Sequence, residues 1–257
     1  MPEPEQELSS KFHPLPCLFT IGSLFCGYYS ILAAIKGDFV IAAIAILVAG
    51  IFDGLDGRIA RLTGTTSMFG VELDSLCDMV SFGVAPGLLA YYWALQPYGR
   101  YGWMAGFLYM ATTCLRLARF NSQKVSSKHF VGLPCPAAAA MVSSTVLFCE
   151  YLGLDEMVVT HISLLVQVYL LSYLMVSTHL YFSFKKPPAL TKTRTFQLLV
   201  GVLLLFVMIA SEPQIMLFAV CGLYVLSGIT IALYRRISKL GRLKNSGDQE
   251  FPKQNSI

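Results

Sequence analysis

The stretch FDGLDGRIARLTGTTSMFGVELDSLCDMV, residues 52–80, decides how this chain folds. It carries four aspartates, Asp53, Asp56, Asp74 and Asp78, and long apolar runs lie on both sides of it. A charged group at membrane depth is costly unless it is paired or bound to something. The stretch therefore predicts that these carboxylates have a bound partner.

The composition indicates a polytopic membrane protein. Hydrophobic residues make up 55% of the chain and charged residues 13%, whereas a soluble domain has about 25% charged residues. A membrane-crossing helix needs about 20 mostly apolar residues, and we find eight such runs. They cover residues 17–35, 39–60, 67–93, 101–119, 134–152, 157–182, 195–211 and 214–234. We expect an all-α bundle of about eight transmembrane helices.

The placement of Lys and Arg predicts the orientation of this bundle. If the N-terminus is cytoplasmic and eight crossings alternate, all but two of the 19 Lys and Arg residues fall on the cytoplasmic side. Only Lys36 and Arg100 then lie on the opposite side. Cytoplasmic loops of membrane proteins carry such an excess. Both termini and the 52–80 stretch are therefore expected at the cytoplasmic face of the cell membrane.

The chain divides into four expected parts. A polar N-terminus (1–16) precedes a membrane domain (17–185), which is followed by two further transmembrane helices (186–236) and a basic, polar tail (237–257) that we expect to be disordered. The seven cysteines include no CxxC pair, so we interpret them as small apolar side chains rather than a zinc site or a disulfide framework. We expect no nucleic-acid partner.

The spacing of the four aspartates brings them together. Asp53 and Asp56 are three residues apart and Asp74 and Asp78 four apart, so each pair shares one face of a helix. A short turn near residues 62–66 makes the two helices antiparallel neighbours. At 1.5 Å per residue the pairs reach similar depth, about 10–15 Å from the end of the bundle. Four carboxylates are thus predicted to converge.

Converging carboxylates favour hard divalent cations. Four close negative charges cannot all stay ionised without a counter-charge, and carboxylate cages suit Mg2+, Mn2+ or Ca2+ rather than Zn2+. Two such ions about 3.5–4 Å apart clamp phosphoryl groups in displacement reactions. The cluster is therefore expected to bind hard divalent cations, and a pair of such ions would suit a phosphoryl-transfer reaction.

Small residues and one arginine fit a phosphorylated ligand. Gly57, Ala60 and Gly70 leave room for a ligand near the backbone, and Arg61 can form a bidentate contact with a phosphate or a carboxylate. Two GxxxG pairs, Gly50 with Gly54 and Gly83 with Gly87, are more typical of close helix packing.

The pattern D-x2-D-G-x2-A-R-x8-G-x3-D-x3-D, which starts at Asp53, resembles the motif of the CDP-alcohol phosphotransferase family at every fixed position. The resemblance implies transfer of a substituted phosphoryl group from a CDP-linked donor to an alcohol, with release of CMP. It implies that the four aspartates are ligands of two divalent cations, which we expect to be Mg2+ or Mn2+, and that Asp78 is also the catalytic base. It further implies a CDP site formed by Asp53, Gly57, Ala60, Arg61 and Gly70.

Four further segments resemble the membrane-spanning phosphatidylserine synthases of bacteria and archaea within that family. They are LPCLFTIGSLFCGYYSI (15–31), MVSFGVAP (79–86), LRLARFN (115–121) and VGLPCPAAAA (131–140). The chain departs from the usual pattern at Cys17 and Ser23, where those proteins have asparagine. The resemblance implies CDP-diacylglycerol as donor, L-serine as acceptor and a homodimer.

The acceptor site is expected near the fourth predicted helix. Arg116 and Arg119 lie three residues apart at its cytoplasmic end, followed by Asn121 and Lys124. One arginine can bind the serine carboxylate in a bidentate contact and the other a donor phosphate. The same residues also fit an ordinary positive-inside distribution.

Two alternatives remain open from the sequence. A related enzyme using glycerol 3-phosphate or inositol phosphate would also need a basic acceptor site. A divalent-cation transporter would also place acidic residues inside a bundle, but the apolar runs beyond the aspartates offer no acidic path to the far side.

Overall fold

The computed structural model describes residues 14–64, 67–122, 132–154, 158–177, 212–228 and 230. Within these ranges all regular secondary structure is helical, which confirms the all-α prediction. The helices are α1 Pro14–Lys36, α2 Phe39–Leu62, α3 Met68–Tyr98, α4 Arg100–Ser122, α5 Cys135–Tyr151, α6 Val158–Val176 and α7 Pro213–Gly228. Each coincides with a predicted apolar run. The run at 195–211 and most of the two terminal segments, 1–16 and 237–257, lie outside the described residues.

Three of these helices are long and apolar enough to cross a membrane. They contain the segments Cys17–Lys36, Phe39–Ala60 and Met68–Tyr98, and shorter apolar helices occur at Cys135–Tyr151, Ile162–Val176 and Pro213–Gly228. A set of apolar helices of this kind indicates a membrane protein. The carboxylates of the 52–80 stretch lie on two of the three long segments.

The bundle has small residues inside and large apolar residues outside. On α1, Ala34 is buried, whereas Leu18 and Phe25 are about two-thirds exposed, at 67% and 66%. Ser30 of α1 is buried and its hydroxyl donates to the carbonyl oxygen of Ala42 on α2 at 2.8 Å. Helices that associate in lipid pack through small residues and interhelical hydrogen bonds. The interface between α1 and α2 follows this rule.

Helix α3 is held against α1 by a close backbone contact. A Cβ placed on Gly27 would lie 2.7 Å from the Cα of Ser81, so only glycine fits there. The Ser81 hydroxyl donates to the carbonyl oxygen of Ser23 at 3.0 Å. Ser81 belongs to a π-helical turn, Met79–Val84, that begins directly after Asp78. The π turn thus lies at a close contact between α3 and α1, and such turns often occur at functional sites.

The second GxxxG pair packs α3 against α4, as predicted. A Cβ on Gly87 would lie 3.3 Å from the carbonyl oxygen of Gly106, and one on Gly83 would lie 3.2 Å from Thr113. In the first pair, Gly50 faces Phe82, but a Cβ on Gly54 would meet no atom within 4 Å among the described residues. The packing prediction therefore holds for the first glycine of that pair and not for the second.

Helices α5, α6 and α7 complete the described bundle. The backbone N–H of Leu133 donates to Leu174 at the end of α6, at 3.2 Å. Thr145 of α5 and Gln167 of α6 hydrogen-bond through their side chains at 2.8 Å. The rings of Phe148 on α5 and Phe218 on α7 stack with centroids 4.5 Å apart. Helix α7 therefore packs on the same core as the helices before it.

Candidate metal centre and active site

The turn between α2 and α3 sets the relative position of the four aspartates. Helix α2 ends at Leu62, and the side chain and N–H of Thr63 both bond the carbonyl oxygen of Ile59. Gly64 follows with a φ of 63°, a conformation that favours glycine. Ser67 caps α3, accepting a hydrogen bond from the N–H of Gly70 at 3.1 Å. Local hydrogen bonds therefore fix both the end of α2 and the start of α3.

The aspartates converge as the spacing predicts. One carboxylate oxygen from each of Asp53, Asp56 and Asp74 lies within 4.8 Å of the other two. The carboxyl group of Asp78 lies within hydrogen-bonding distance of that of Asp53. Carboxylates this close repel one another unless a proton or a cation lies between them. We call these four residues the aspartate cluster.

Asp56 is the most buried member of the cluster, and one of its oxygens suits a metal ion. It is 6% exposed, and it accepts hydrogen bonds from the Thr20 hydroxyl and the Gly57 N–H. Its Oδ2 atom is buried and has no hydrogen-bond partner among the described residues. A buried charged oxygen without a partner is strongly disfavoured. A divalent cation held by the cluster would satisfy this oxygen, so the residues fit the predicted metal.

Thr20, which orients Asp56, was not predicted from the sequence. It lies on α1 and is buried, and its partner is distant in sequence. No spacing rule links a residue to a side chain on another helix. The only signal in the sequence is its place in the segment 15–31.

We expect Thr20→Val to weaken binding of Mn2+ about 10- to 100-fold, because a group that orients a metal ligand contributes about that much to affinity. Titration of the purified protein with Mn2+, followed by electron paramagnetic resonance, measures the effect. Ser30→Ala is the matched control, because it removes another buried α1 hydroxyl whose partner is a backbone carbonyl. Equal affinities in Thr20→Val and the wild type would contradict the orienting role.

The residues predicted to bind CDP line the same end of α2 and α3. Gly57, Ala60 and Gly70 are all partly exposed, next to the cluster in sequence. A Cβ on Gly70 would lie 3.3 Å from the Ser67 hydroxyl oxygen, so glycine also serves the helix cap there. The Arg61 side chain lies outside the described residues. The roles of the small residues and of the arginine in binding CDP therefore remain predictions.

Arg116 of α4 is joined to α5 by a side-chain hydrogen bond. Its Nη1 donates to the Cys135 thiol at 3.1 Å, and its Nε is buried without a hydrogen-bond partner among the described residues. The structure therefore joins Arg116 to α5 through a cysteine that the sequence pattern had indicated only as a small apolar residue.

The other predicted acceptor residues are placed differently. The Asn121 amide donates to Ser75 at 3.0 Å and to Glu72 at 3.4 Å, which ties the end of α4 to α3 beside Asp74. Arg119 is partly exposed, and Lys124 lies outside the described residues. The structure thus shows Asn121 bracing two helices, and it leaves the binding roles of Arg119 and Lys124 as predictions.

Comparison with known proteins identifies the family. Residues 13–173 match the CDP-alcohol phosphatidyltransferase family. The chain is 41% identical to a CDP-diacylglycerol–serine O-phosphatidyltransferase of Helicobacter pylori over 217 residues, 83% of this chain and 89% of the relative. It is 39% identical to an archaetidylserine synthase of Methanothermobacter thermautotrophicus over 165 residues, 63% of this chain and 69% of the relative.

A third relative extends the comparison. The CDP-diacylglycerol–serine O-phosphatidyltransferase of Bacillus subtilis is 34% identical over 175 residues, which is 68% of this chain and 93% of the relative. The matched region 13–173 contains the whole aspartate cluster, Arg116 and Cys135. With its motif, its helices and these relatives in agreement, the chain belongs to the CDP-alcohol phosphatidyltransferase family.

Proposed function

We propose that this protein transfers the phosphatidyl group of CDP-diacylglycerol to the hydroxyl of L-serine, giving phosphatidylserine and CMP. The observation that carries the proposal is the convergence of Asp53, Asp56 and Asp74 within 4.8 Å, with Asp78 beside them. The choice of serine rests on relatives named as serine O-phosphatidyltransferases.

The aspartate cluster would hold the divalent cations. Asp53, Asp56 and Asp74 supply the mutually close oxygens, and Asp78 adds a fourth carboxyl group next to Asp53. Bound Mg2+ or Mn2+ supplies Lewis-acid stabilisation of negative charge on the diphosphate and on the leaving CMP. Oxygen donors alone suit these ions better than softer metals.

The chain's own residues account for the proton and the substrate positions. Asp78 accepts the proton of the serine hydroxyl while the serine oxygen attacks the phosphorus that bears diacylglycerol. The new P–O bond forms as the bond to CMP breaks, so no covalent enzyme intermediate is needed. Gly57, Ala60, Gly70 and Arg61 border the nucleotide. A stereochemical analysis with chiral phosphorus should show inversion, and net retention would contradict direct displacement.

The proposal places the site at the cytoplasmic face of the cell membrane. The excess of Lys and Arg on one side of the predicted bundle supports this orientation. The donor's acyl chains would then remain in the bilayer, while its diphosphate reaches the aspartate cluster at the interface. Membership of the family supports a homodimer as part of the same proposal.

An acceptor screen with purified protein tests the function. We expect release of CMP from CDP-diacylglycerol to require L-serine and a divalent cation, to cease in excess EDTA, and to return when Mg2+ or Mn2+ is restored. Glycerol 3-phosphate and inositol phosphate should not replace serine, because the proposed acceptor carries a carboxylate rather than a phosphate. CMP release that depends on either of those acceptors would contradict the serine assignment.

A further inference from the structure

One buried hydroxyl just beyond the aspartate cluster ties α3 to α1. Ser81 is fully buried, and its hydroxyl donates to the carbonyl oxygen of Ser23 on α1 at 3.0 Å. A buried Ser or Thr within a helix can instead bond a carbonyl one turn back in its own helix, as Thr113 does with Tyr109 at 2.9 Å. Because the Ser81 hydroxyl reaches the neighbouring helix, it fixes the position of α3 against α1.

This bond is made from the π turn that directly follows Asp78. The N–H of Ala85 bonds the carbonyl oxygen of Val80, five residues back, where an α-helix would bond four residues back. One extra residue in a turn rotates the side chains that follow by about 100° relative to a regular α-helix. Gly87, which packs on Gly106 of α4, lies after this turn. The π turn therefore sets the direction of the Asp78 side chain relative to the half of α3 that packs on α4.

Helix α1 holds the π turn by contact as well as by the hydrogen bond. A Cβ on Gly27 would lie 2.7 Å from the Cα of Ser81, so the two backbones are pressed together there. The same helix bonds Asp56 through Thr20, seven residues or about 10 Å before Gly27. Helix α1 thus contacts an aspartate of α2 and the turn next to an aspartate of α3, and it holds the two relative to each other.

We propose that Ser81 is a positioning residue for the base: by anchoring the π turn to α1, it holds Asp78 in the direction needed to take the proton of the acceptor hydroxyl. The inference rests on the proposed function and assigns a role to a residue of α3 that binds another helix instead of a substrate. The position of a reacting group matters this much because a displacement of about 1 Å can lower a rate about 100-fold.

Ser81→Ala removes the tie and keeps the small side chain. We expect kcat to fall about 10- to 100-fold, because the base is no longer held in place. The KM values for CDP-diacylglycerol and L-serine should stay within about threefold, since uniform binding of the substrates is not changed. Ser30→Ala is the matched control, because Ser30 is another fully buried hydroxyl that donates to a carbonyl oxygen of a neighbouring helix, at 2.8 Å. It should leave kcat unchanged.

A double-mutant cycle with Asp78→Asn separates positioning from a general structural role. When the base is absent there is nothing for Ser81 to position, so adding Ser81→Ala to Asp78→Asn should lower kcat by less than about twofold. Single-turnover release of labelled CMP measures these slow variants. If Ser81→Ala lowers kcat by the same factor in both backgrounds, Ser81 acts independently of Asp78 and the inference is overturned.

Gly27→Ala tests the same turn from the side of α1 and keeps the Ser81 hydroxyl. The added Cβ must displace Ser81, so kcat should fall at least as much as in Ser81→Ala, again with no further loss in the Asp78→Asn background. Gly50→Ala is the control, because a Cβ there would have Phe82 as its nearest neighbour at 3.8 Å, which is an ordinary contact. A wild-type kcat in Gly27→Ala would contradict the inference.

The wild-type rate separates this inference from the proposed function. If the wild type releases no CMP with L-serine, the proposed function fails, and the cycle is then measured with whichever acceptor does support release. If the wild type is active with L-serine but the effects of Ser81→Ala and Asp78→Asn multiply, only the role of Ser81 is wrong.

Discussion

Asp78→Asn is expected to lower kcat by about 10^2- to 10^4-fold, the usual contribution of a general base. Asparagine keeps the shape of the side chain but cannot accept the proton of the acceptor hydroxyl. The other three carboxylates, whose oxygens lie within 4.8 Å of one another, remain in place. Metal-dependent binding of CDP-diacylglycerol should therefore stay measurable.

The experiment combines single-turnover release of CMP with equilibrium binding of the lipid nucleotide in detergent. Asp38→Asn is the control, because Asp38 is an exposed aspartate just before α2, at the helix end remote from the cluster. It should leave both quantities unchanged. A kcat in Asp78→Asn within about twofold of the wild type would remove Asp78 from its role as base. Loss of lipid binding together with turnover would instead assign it mainly to the metal centre.

The aspartate cluster could be predicted because helix geometry is local. Spacings of three and four residues fix each pair on one face, and a short turn fixes the relative depth of two neighbouring helices. Asp53, Asp56 and Asp74 therefore converge in the structure as the sequence predicts. The same reasoning located seven of the eight predicted apolar runs on helices, because each run is long and continuous.

Contacts between distant helices could not be predicted in this way. The bond from Thr20 to Asp56 joins α1 to α2, and that from Arg116 to Cys135 joins α4 to α5. Each bond depends on which faces two helices turn toward each other when they pack. The spacing of residues within one helix does not determine this. The sequence indicated the cysteines only as small apolar side chains, and only the packing reveals that Cys135 has a polar contact.

The π turn after Asp78 was missed for a related reason. Residues 79–84 have no unusual sequence period, and the prediction assumed a regular helix through this region. The structure shows Ser81 pressed against Gly27 of α1, with its hydroxyl bonded to Ser23. Close packing on another helix accompanies the widened turn. The local sequence therefore predicted a helix here but not its π-helical turn.

Asp56→Ala is expected to abolish specific binding of Mn2+ and to reduce turnover more than about 100-fold at saturating metal. This loss should exceed the one expected for Thr20→Val, because Asp56 is itself a proposed metal ligand and Thr20 only orients it. Asp56 is the most buried of the three converging carboxylates, and its Oδ2 has no partner among the described residues. No neighbouring side chain can replace this oxygen after truncation. Mn2+ titration and CMP release measure the two effects. Asp38→Asn, which changes an exposed acid just before α2, at the helix end remote from the cluster, is the control.

The same substitution should change thermal stability in opposite directions with and without the metal. In EDTA, Asp56→Ala should unfold at a higher temperature than the wild type, because it removes a buried carboxylate that repels its neighbours. Added Mn2+ should stabilise the wild type by about 2.7 kcal/mol at 100 times its Kd and should leave the variant unchanged. A variant that is less stable in EDTA yet still stabilised by Mn2+ would mean that Asp56 supports the helix packing and that the metal lies elsewhere. Carboxylates that together bind a cation repel one another when the cation is absent. A variant that is more stable than the wild type in EDTA, and is not stabilised by Mn2+, therefore distinguishes a metal centre from acids with a structural role.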